Sequence, residues 1–282
     1  MEGMTVDRKS IAQLMQVDSR TAVFGPLGLM TDRRLTDESA VDYVQGIIDA
    51  LDLPHSVPET VQAHFETLRH LHMYGAFSYD LFALSTESAH TALELVLGVR
   101  FVAWYAGQVP LTERGTGNSM TVHADDFARL RKWFGRRRRD GSGGWHLEGD
   151  PEFDGSLASL LRWARAKGVL SRWLDKMWAR ARHLVLDREV TTWGPNRRIP
   201  AEWETWTLEV KGHWVETTLR AMWEEDYLDT VRELRNLIVH RTSGFITSPV
   251  ESARSLERLH EAITSMWPPI EDARAGGTDA SS

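Results

Sequence analysis

The sequence predicts an all-α fold, and three observations predict it. Apolar residues recur at helical spacing over most of the chain, capping signals precede several of these stretches, and alternating strand patterns are scarce. Of the 282 residues, 42% are hydrophobic and 26% charged, which is enough apolar material for one large core or two small ones.

Taken in order, the N-terminal MEGMTVDRKS has no apolar signal core, and the run Ala22 to Met30 is broken by Gly25, Pro26 and Gly28 and reads as a loop. Thr36 caps a helix with Asp37 and Glu38 in its first turn and Val41, Val44, Ile47 and Ile48 as its stripe. Ser56 and Glu59 make a capping box around Pro58, opening a helix from about Pro58 to Tyr74. After Gly75, the segment Phe77 to Ala106 is apolar on nearly all sides and reads as a central buried helix. The glycine-rich region from Gln108 to Gly155 reads as a flexible basic insertion, at about 108–155, with one short helix near Ala124 to Phe134. Helical spacing resumes at Leu157, Leu160, Leu161 and Ala164. Pro200 and Glu202 open a long pattern through Trp203, Trp214, Trp223, Leu234 and Ile238, which continues or restarts on the way to Gly244. Ser248, Pro249 and Glu251 form a second capping box before the last helix, to about Met266. The resulting organisation is an N-terminal helical extension over 1–56, the main helical domain over 57–268, and a disordered tail over 269–282.

Charge narrows the function classes. A net charge of −7 argues against non-specific coating of nucleic acid. The distribution is uneven, however. Leu35 to Leu68 holds seven acidic residues and no Lys or Arg. Arg129 to Arg139 carries Arg129, Arg131, Lys132 and the run Arg136, Arg137, Arg138 and Arg139, and a second basic stretch runs from Arg162 to Arg182. Such a middle can hold a phosphate backbone, or it can be a set of solvated helix faces. The twelve tryptophans are mostly spaced as core residues, with base stacking by Trp133 or Trp145 as the alternative. No cysteine is present, which fits a reducing compartment, and Ala92 to Ala106 is interrupted by Glu94 and Arg100, so no membrane span is expected. The expected location is cytoplasmic.

The sharpest local feature is Arg232-Glu233-Leu234-Arg235-Asn236-Leu237-Ile238-Val239-His240-Arg241. On a helix, Arg232, Asn236 and His240 form one polar ridge flanked by Arg235. A permanent cation, an amide and an imidazole together suit RNA phosphodiester chemistry. Histidine moves a proton near neutral pH, arginine stabilises the phosphate's developing charge, and asparagine orients either partner, without metal or cofactor. The same residues also fit a plain helix surface with a C-terminal histidine on the helix dipole. Glu87 lies in an apolar helix and calls for a partner, either Arg235 or Arg232, or else a polar seam.

The motif Arg235, Asn236, three residues, then His240, followed by Gly244-Phe245 and the helix Ser248 to Trp267, resembles the C-terminal half of HEPN domains. The stretch SYDLFALSTESAHTALELVLGVRF is similar to the first long helix of that family. The likeness covers about 57–268, interrupted by the insertion. It implies a HEPN-like antiparallel helical bundle, here with an N-terminal helical extension and a flexible basic insertion, commonly a homodimer with two motifs facing one cleft. It also implies a metal-independent endoribonuclease cleaving RNA by 2′-hydroxyl attack, in a toxin–antitoxin, phage-defence or RNA-processing setting with an antitoxin or defence partner. Arg235, Asn236 and His240 would be catalytic, and Arg232, Arg241 and Arg136 to Arg139 would bind substrate, with Glu87 in support.

Two other readings stand beside it. One is a non-catalytic RNA- or nucleotide-binding helical module, or an interaction protein whose tryptophans form the contact face. The other is a di-metal centre from Glu87-x-x-His90, Glu257-x-x-His260 and Glu94. Signatures of P-loop, dinucleotide-binding, serine-hydrolase and zinc-protease sites are absent.

Overall fold

A computed structural model describes residues 10–25, 28–29, 34–139, 144–191, 199–240 and 247–268, with the side chains at 25, 28–29, 135–139, 186–191 and 237–240 excepted. The expected disordered tail and Arg241 lie outside the described residues. The chain forms two compact units, Met1–Leu93 with Ile238–Ser282, and Glu94–Leu237.

In the first unit, the short helix α1 (Ile11–Leu14), a 3-10 turn at Thr21–Val23 and the two-residue strands β1 (Phe24–Gly25) and β2 (Gly28–Leu29) precede α2 (Asp37–Gly46). The Thr36 hydroxyl accepts the Ser39 N–H, as a cap residue should. Helix α3 (Glu59–Tyr74) packs with α2 and with α10 (Pro249–Met266). Ser56 does not cap α3, because its hydroxyl donates instead to the carbonyls of Trp267 and Pro268, and the helix begins after Pro58 without a side-chain cap. Ser248 and Glu251 do form the reciprocal box that opens α10. One core cluster here joins Val44, Ala76, Tyr79 and Phe82, and aliphatic residues of α3 and α10, such as Leu68 and Ile263, are buried in the same unit. At its centre, the buried imidazole of His72 lies 2.9 Å from the Ser252 hydroxyl and 3.2 Å from the Val44 carbonyl, tying α3 to its two neighbours.

Helix α4 (Asp80–Trp104) begins in the first unit and ends in the second. It is apolar on most sides but not buried on all of them: Leu84 is 44% and Leu95 42% exposed, while Phe82, Leu97 and Phe101 are fully enclosed.

The second unit corrects the all-α expectation. The chain is mostly helical, but the supposed loose insertion folds as an antiparallel sheet of order β4-β3-β5, from β3 (Gln108–Glu113), β4 (Ser119–His123) and β5 (Trp145–Leu147). Val109 and Leu111 alternate inward along β3. The β3–β4 turn places Gly115 and Gly117 at φ of 97° and 72°, and the Glu113 carboxylate accepts from Thr116 and Asn118 across it. Helix α5 (Phe127–Arg139) follows. It lies against α4 where Gly98 leaves room: a Cβ there would come 2.8 Å from that of Phe127. Phe101 contacts Phe127, Phe153 and Trp163, with ring centroids 5.6, 4.9 and 4.8 Å away, so one α4 side chain gathers α5, the connection after β5 and α6 (Leu157–Ala166).

Helix α7 (Ser171–Thr191) and the tryptophan-rich segment complete the unit. The long pattern after Pro200 is not one helix. A 3-10 turn at Ala201–Thr205 stops at Trp206, Thr207 caps α8 (Leu208–Trp214), and a π-helical segment, Val215–Leu219, leads into α9 (Arg220–His240). Trp178, Val215 and Leu219 form the buried cluster beneath Trp203, Trp214 and Trp223. Among the described residues, no helix is long and apolar enough to cross a membrane.

Candidate functional site

Basic residues concentrate in the second unit. It holds 23 Lys and Arg against 21 Asp and Glu, a formal +2, whereas the first unit holds 10 against 19, a formal −9, together giving the chain's −7. The motif helix α9 supplies Arg232, Arg235 and Asn236 to this basic unit.

The centre of the site is one carboxylate. Glu94 extends from α4, 12% exposed, and each of its oxygens meets a different arginine. Oε1 lies 2.5 Å from Arg131 Nη1 on α5, and Oε2 lies 2.6 Å from Arg235 Nη2 on α9. Arg235 Nη1 donates to the Asn236 amide oxygen at 3.2 Å, and its Nε is buried without a hydrogen-bond partner. Two cations around one anion leave a single net positive charge. The Arg235 side chain is 21% exposed and that of Arg131 54%, so the pair is fixed on one side and open to solvent on the other. Gly98 sits one turn after Glu94, and Phe127 one turn before Arg131. The close helix contact is therefore what brings Arg131 within reach.

Arg232 stands apart from this trio. It pairs with Asp229 at 3.2 Å and lines a cleft of about 200 Å³ between α6 and α9, with Arg162, Arg165, Glu225, Leu161 and Leu228 among the lining residues. Arg162 reaches Glu152, and Arg165 reaches Glu224, both at 3.3 Å. The second basic stretch of the sequence thus meets the motif helix in space, with each guanidinium already oriented by a carboxylate.

The carboxylate that Arg235 meets is Glu94 and the one that Arg232 meets is Asp229. The expected pairing of Glu87 with either arginine is replaced by these, and Glu87, half-buried, belongs to the first unit. Position 240 ends α9 and belongs to the first unit. Its imidazole, and the side chains of Arg136 to Arg139 at the end of α5, lie outside the described residues. Sequence reasoning treated Glu94 only as a possible metal ligand and Arg131 only as part of a charge run. A usable signal was present, since a carboxylate within the apolar stretch Leu93 to Leu97 needs a cation.

Among the described residues, no three His, Asp or Glu side chains are grouped as metal ligands. His260 instead lies 2.9 Å from the Asp52 carbonyl, and burial pushes the His90 imidazole below its usual range, helped by Arg258. Trp133 packs edge-on against Phe134 at 5.3 Å, and Trp133 and Trp145 are both half-buried. Comparison of the chain with family models, with curated proteins and with solved structures gives no match.

Proposed function

We propose that the protein is a metal-independent endoribonuclease of HEPN type, cleaving RNA within a toxin–antitoxin or anti-phage system and acting as a cytoplasmic homodimer. The observation that carries the proposal is the convergence of Arg131 and Arg235 on one point, where they hold the two oxygens of a single carboxylate. Two non-bridging oxygens of a phosphodiester present the same pair of acceptors to the same pair of guanidinium groups. The trio keeps a net positive charge and lies in the unit of net +2, which favours a phosphate there over the acidic remainder of the chain.

The reaction follows from the residue types. The 2′-oxygen of a ribose attacks the adjacent phosphorus while the 5′-oxygen leaves, giving a 2′,3′-cyclic phosphate and a 5′-hydroxyl. Arg235, steadied by Asn236, holds the non-bridging oxygens and stabilises the charge that grows on them. His240 removes the 2′-proton or protonates the leaving oxygen. Arg232 and the arginines lining the α6–α9 cleft hold flanking phosphates.

The test compares wild-type protein with His240→Ala on labelled single-stranded RNA in EDTA. Wild type should generate cyclic-phosphate ends, and His240→Ala should cut more than about 100-fold more slowly while binding within a few-fold of wild type. Intact RNA after prolonged incubation with wild type overturns the nuclease reading. If tight binding persists in that case, the protein is the non-catalytic RNA-binding module instead.

A further inference from the structure

We infer that the Glu94 carboxylate is the resting occupant of a two-arginine phosphate site, and that an RNA phosphodiester binds by exchanging with it. The inference rests on the nuclease reading only for the identity of the anion. The site itself rests on the geometry around Glu94.

The geometry has three parts. First, the contacts are divided: one oxygen of Glu94 serves Arg131 and the other serves Arg235, at 2.5 and 2.6 Å. A carboxylate that merely neutralised one arginine would sit on it with both oxygens, as bidentate pairs do. A bridging carboxylate marks a place where two guanidinium groups point at one small anion. Second, the two arginines come from elements distant in sequence, 37 and 141 residues from Glu94. Each has a support besides Glu94: the Gly98–Phe127 contact seats α5 on α4 one turn before Arg131, and Arg235 donates to Asn236. Third, the ligand side is open. Arg131 is 54% exposed and Asn236 is exposed, so an incoming phosphate can take the outward N–H groups first and complete the exchange as Glu94 rotates away.

Charge sets the direction of the effect. With Glu94 in place the trio is singly positive, and without its charge the two arginines present two. A ligand phosphate must therefore compete with a carboxylate tethered beside it, which lowers affinity in the resting protein and limits binding to polyanions that bring several phosphates at once.

The experiment measures binding of a fluorescent, uncleavable 2′-O-methyl RNA oligonucleotide to full-length wild type, E94Q, R235Q and the E94Q/R235Q pair. E94Q should bind about tenfold tighter than wild type, because one opposing charge is removed at contact distance. R235Q should weaken binding in either background. Equal or weaker binding by an E94Q protein that melts like wild type overturns the inference and makes Glu94 a positioning residue for Arg235. A crystal structure of wild type with the same oligonucleotide decides the matter without a variant. A phosphate between Arg131 and Arg235 with Glu94 turned away supports the exchange, and Glu94 still bridging both arginines overturns it. Failure here is separable from failure of the nuclease reading. Tighter E94Q binding without any cleavage of ordinary RNA by wild type keeps this site and removes the enzyme. His240-dependent cleavage with unchanged E94Q affinity keeps the enzyme and removes the exchange.

Discussion

The first unit packs aliphatic and phenyl side chains from α2, α3 and α10 around one neutral histidine, and it carries a formal charge of −9. The second gathers eleven of the twelve tryptophans and most of the arginines, carries +2, and pairs many of its described guanidinium groups with carboxylates. The difference lies in what each core asks of its polar groups. In the first unit, the buried polar groups include one imidazole and a few hydroxyls, such as Thr21 and Ser85, that donate to nearby carbonyls. In the second, large side chains with polar edges line the helices, and charge is balanced pair by pair near the surface. One unit is built to stay shut, and the other keeps cations oriented at its edge, where a polyanion can compete for them.

Replacing a central phenyl ring in each unit tests that contrast with the largest expected effect. Phe82→Ala and Phe101→Ala should each cost about 3–5 kcal/mol, from lost burial and the cavity left behind. Only Phe101→Ala should strongly alter tryptophan emission, since Phe101 touches Trp163 and the first unit contains Trp267 alone. Equal emission changes in the two variants, read by equilibrium denaturation, would dissolve the division between the cores.

Acid separates the units next. Burial holds His72 down at about 4, against 6.5 in an unfolded chain, with the Val44 carbonyl opposing the shift. Between those values the unfolded chain binds the extra proton and the folded chain does not. Stability is therefore complete above pH 6.5 and falls as pH drops towards 4, by about 3 kcal/mol in all. His90 shifts in the same direction. Urea titrations at pH 7 and pH 4.5 should show this loss, and His72→Gln should flatten the dependence. A loss undiminished in His72→Gln would place the acid sensitivity elsewhere.

The smallest effect comes from one methyl group. Gly98→Ala puts a Cβ 2.8 Å from that of Phe127 and should cost about 1–3 kcal/mol. Its sharper signature is local: α5 is pushed outward and the Arg131–Glu94 pair parts, so RNA binding should lose the Arg131 contribution and its salt slope should flatten by about one. An unchanged slope would mean that the helix contact does not position Arg131.

Short-range features were legible in the sequence. Thr36 and the Ser248–Glu251 box act within one turn of chain, and both caps form as read. Ser56 carries the same signature and is diverted, because carbonyls more than 200 positions away take its hydroxyl. The sheet in the insertion was hidden because only Val109 and Leu111 alternate clearly, and the glycines that make its hairpin turn resemble those of a loose loop. At the site, the Arg235-Asn236 step stood out as a local motif. Its partners did not, since Glu94 and Arg131 join it through tertiary packing that spacing alone does not encode.

The π-helical segment Val215–Leu219 has a consequence for how this chain tolerates changes of length. A π turn carries about one residue more than an α turn. Excising a single residue there would let the backbone wind on as ordinary α-helix, with everything downstream keeping its face, because the extra residue of the π turn is the one removed. The same excision between Arg220 and Arg232, in regular α-helix, would instead turn Arg235 by about 100° away from Glu94 with every amino acid of the motif intact. A one-codon deletion is therefore absorbed by the π segment and damaging just beyond it.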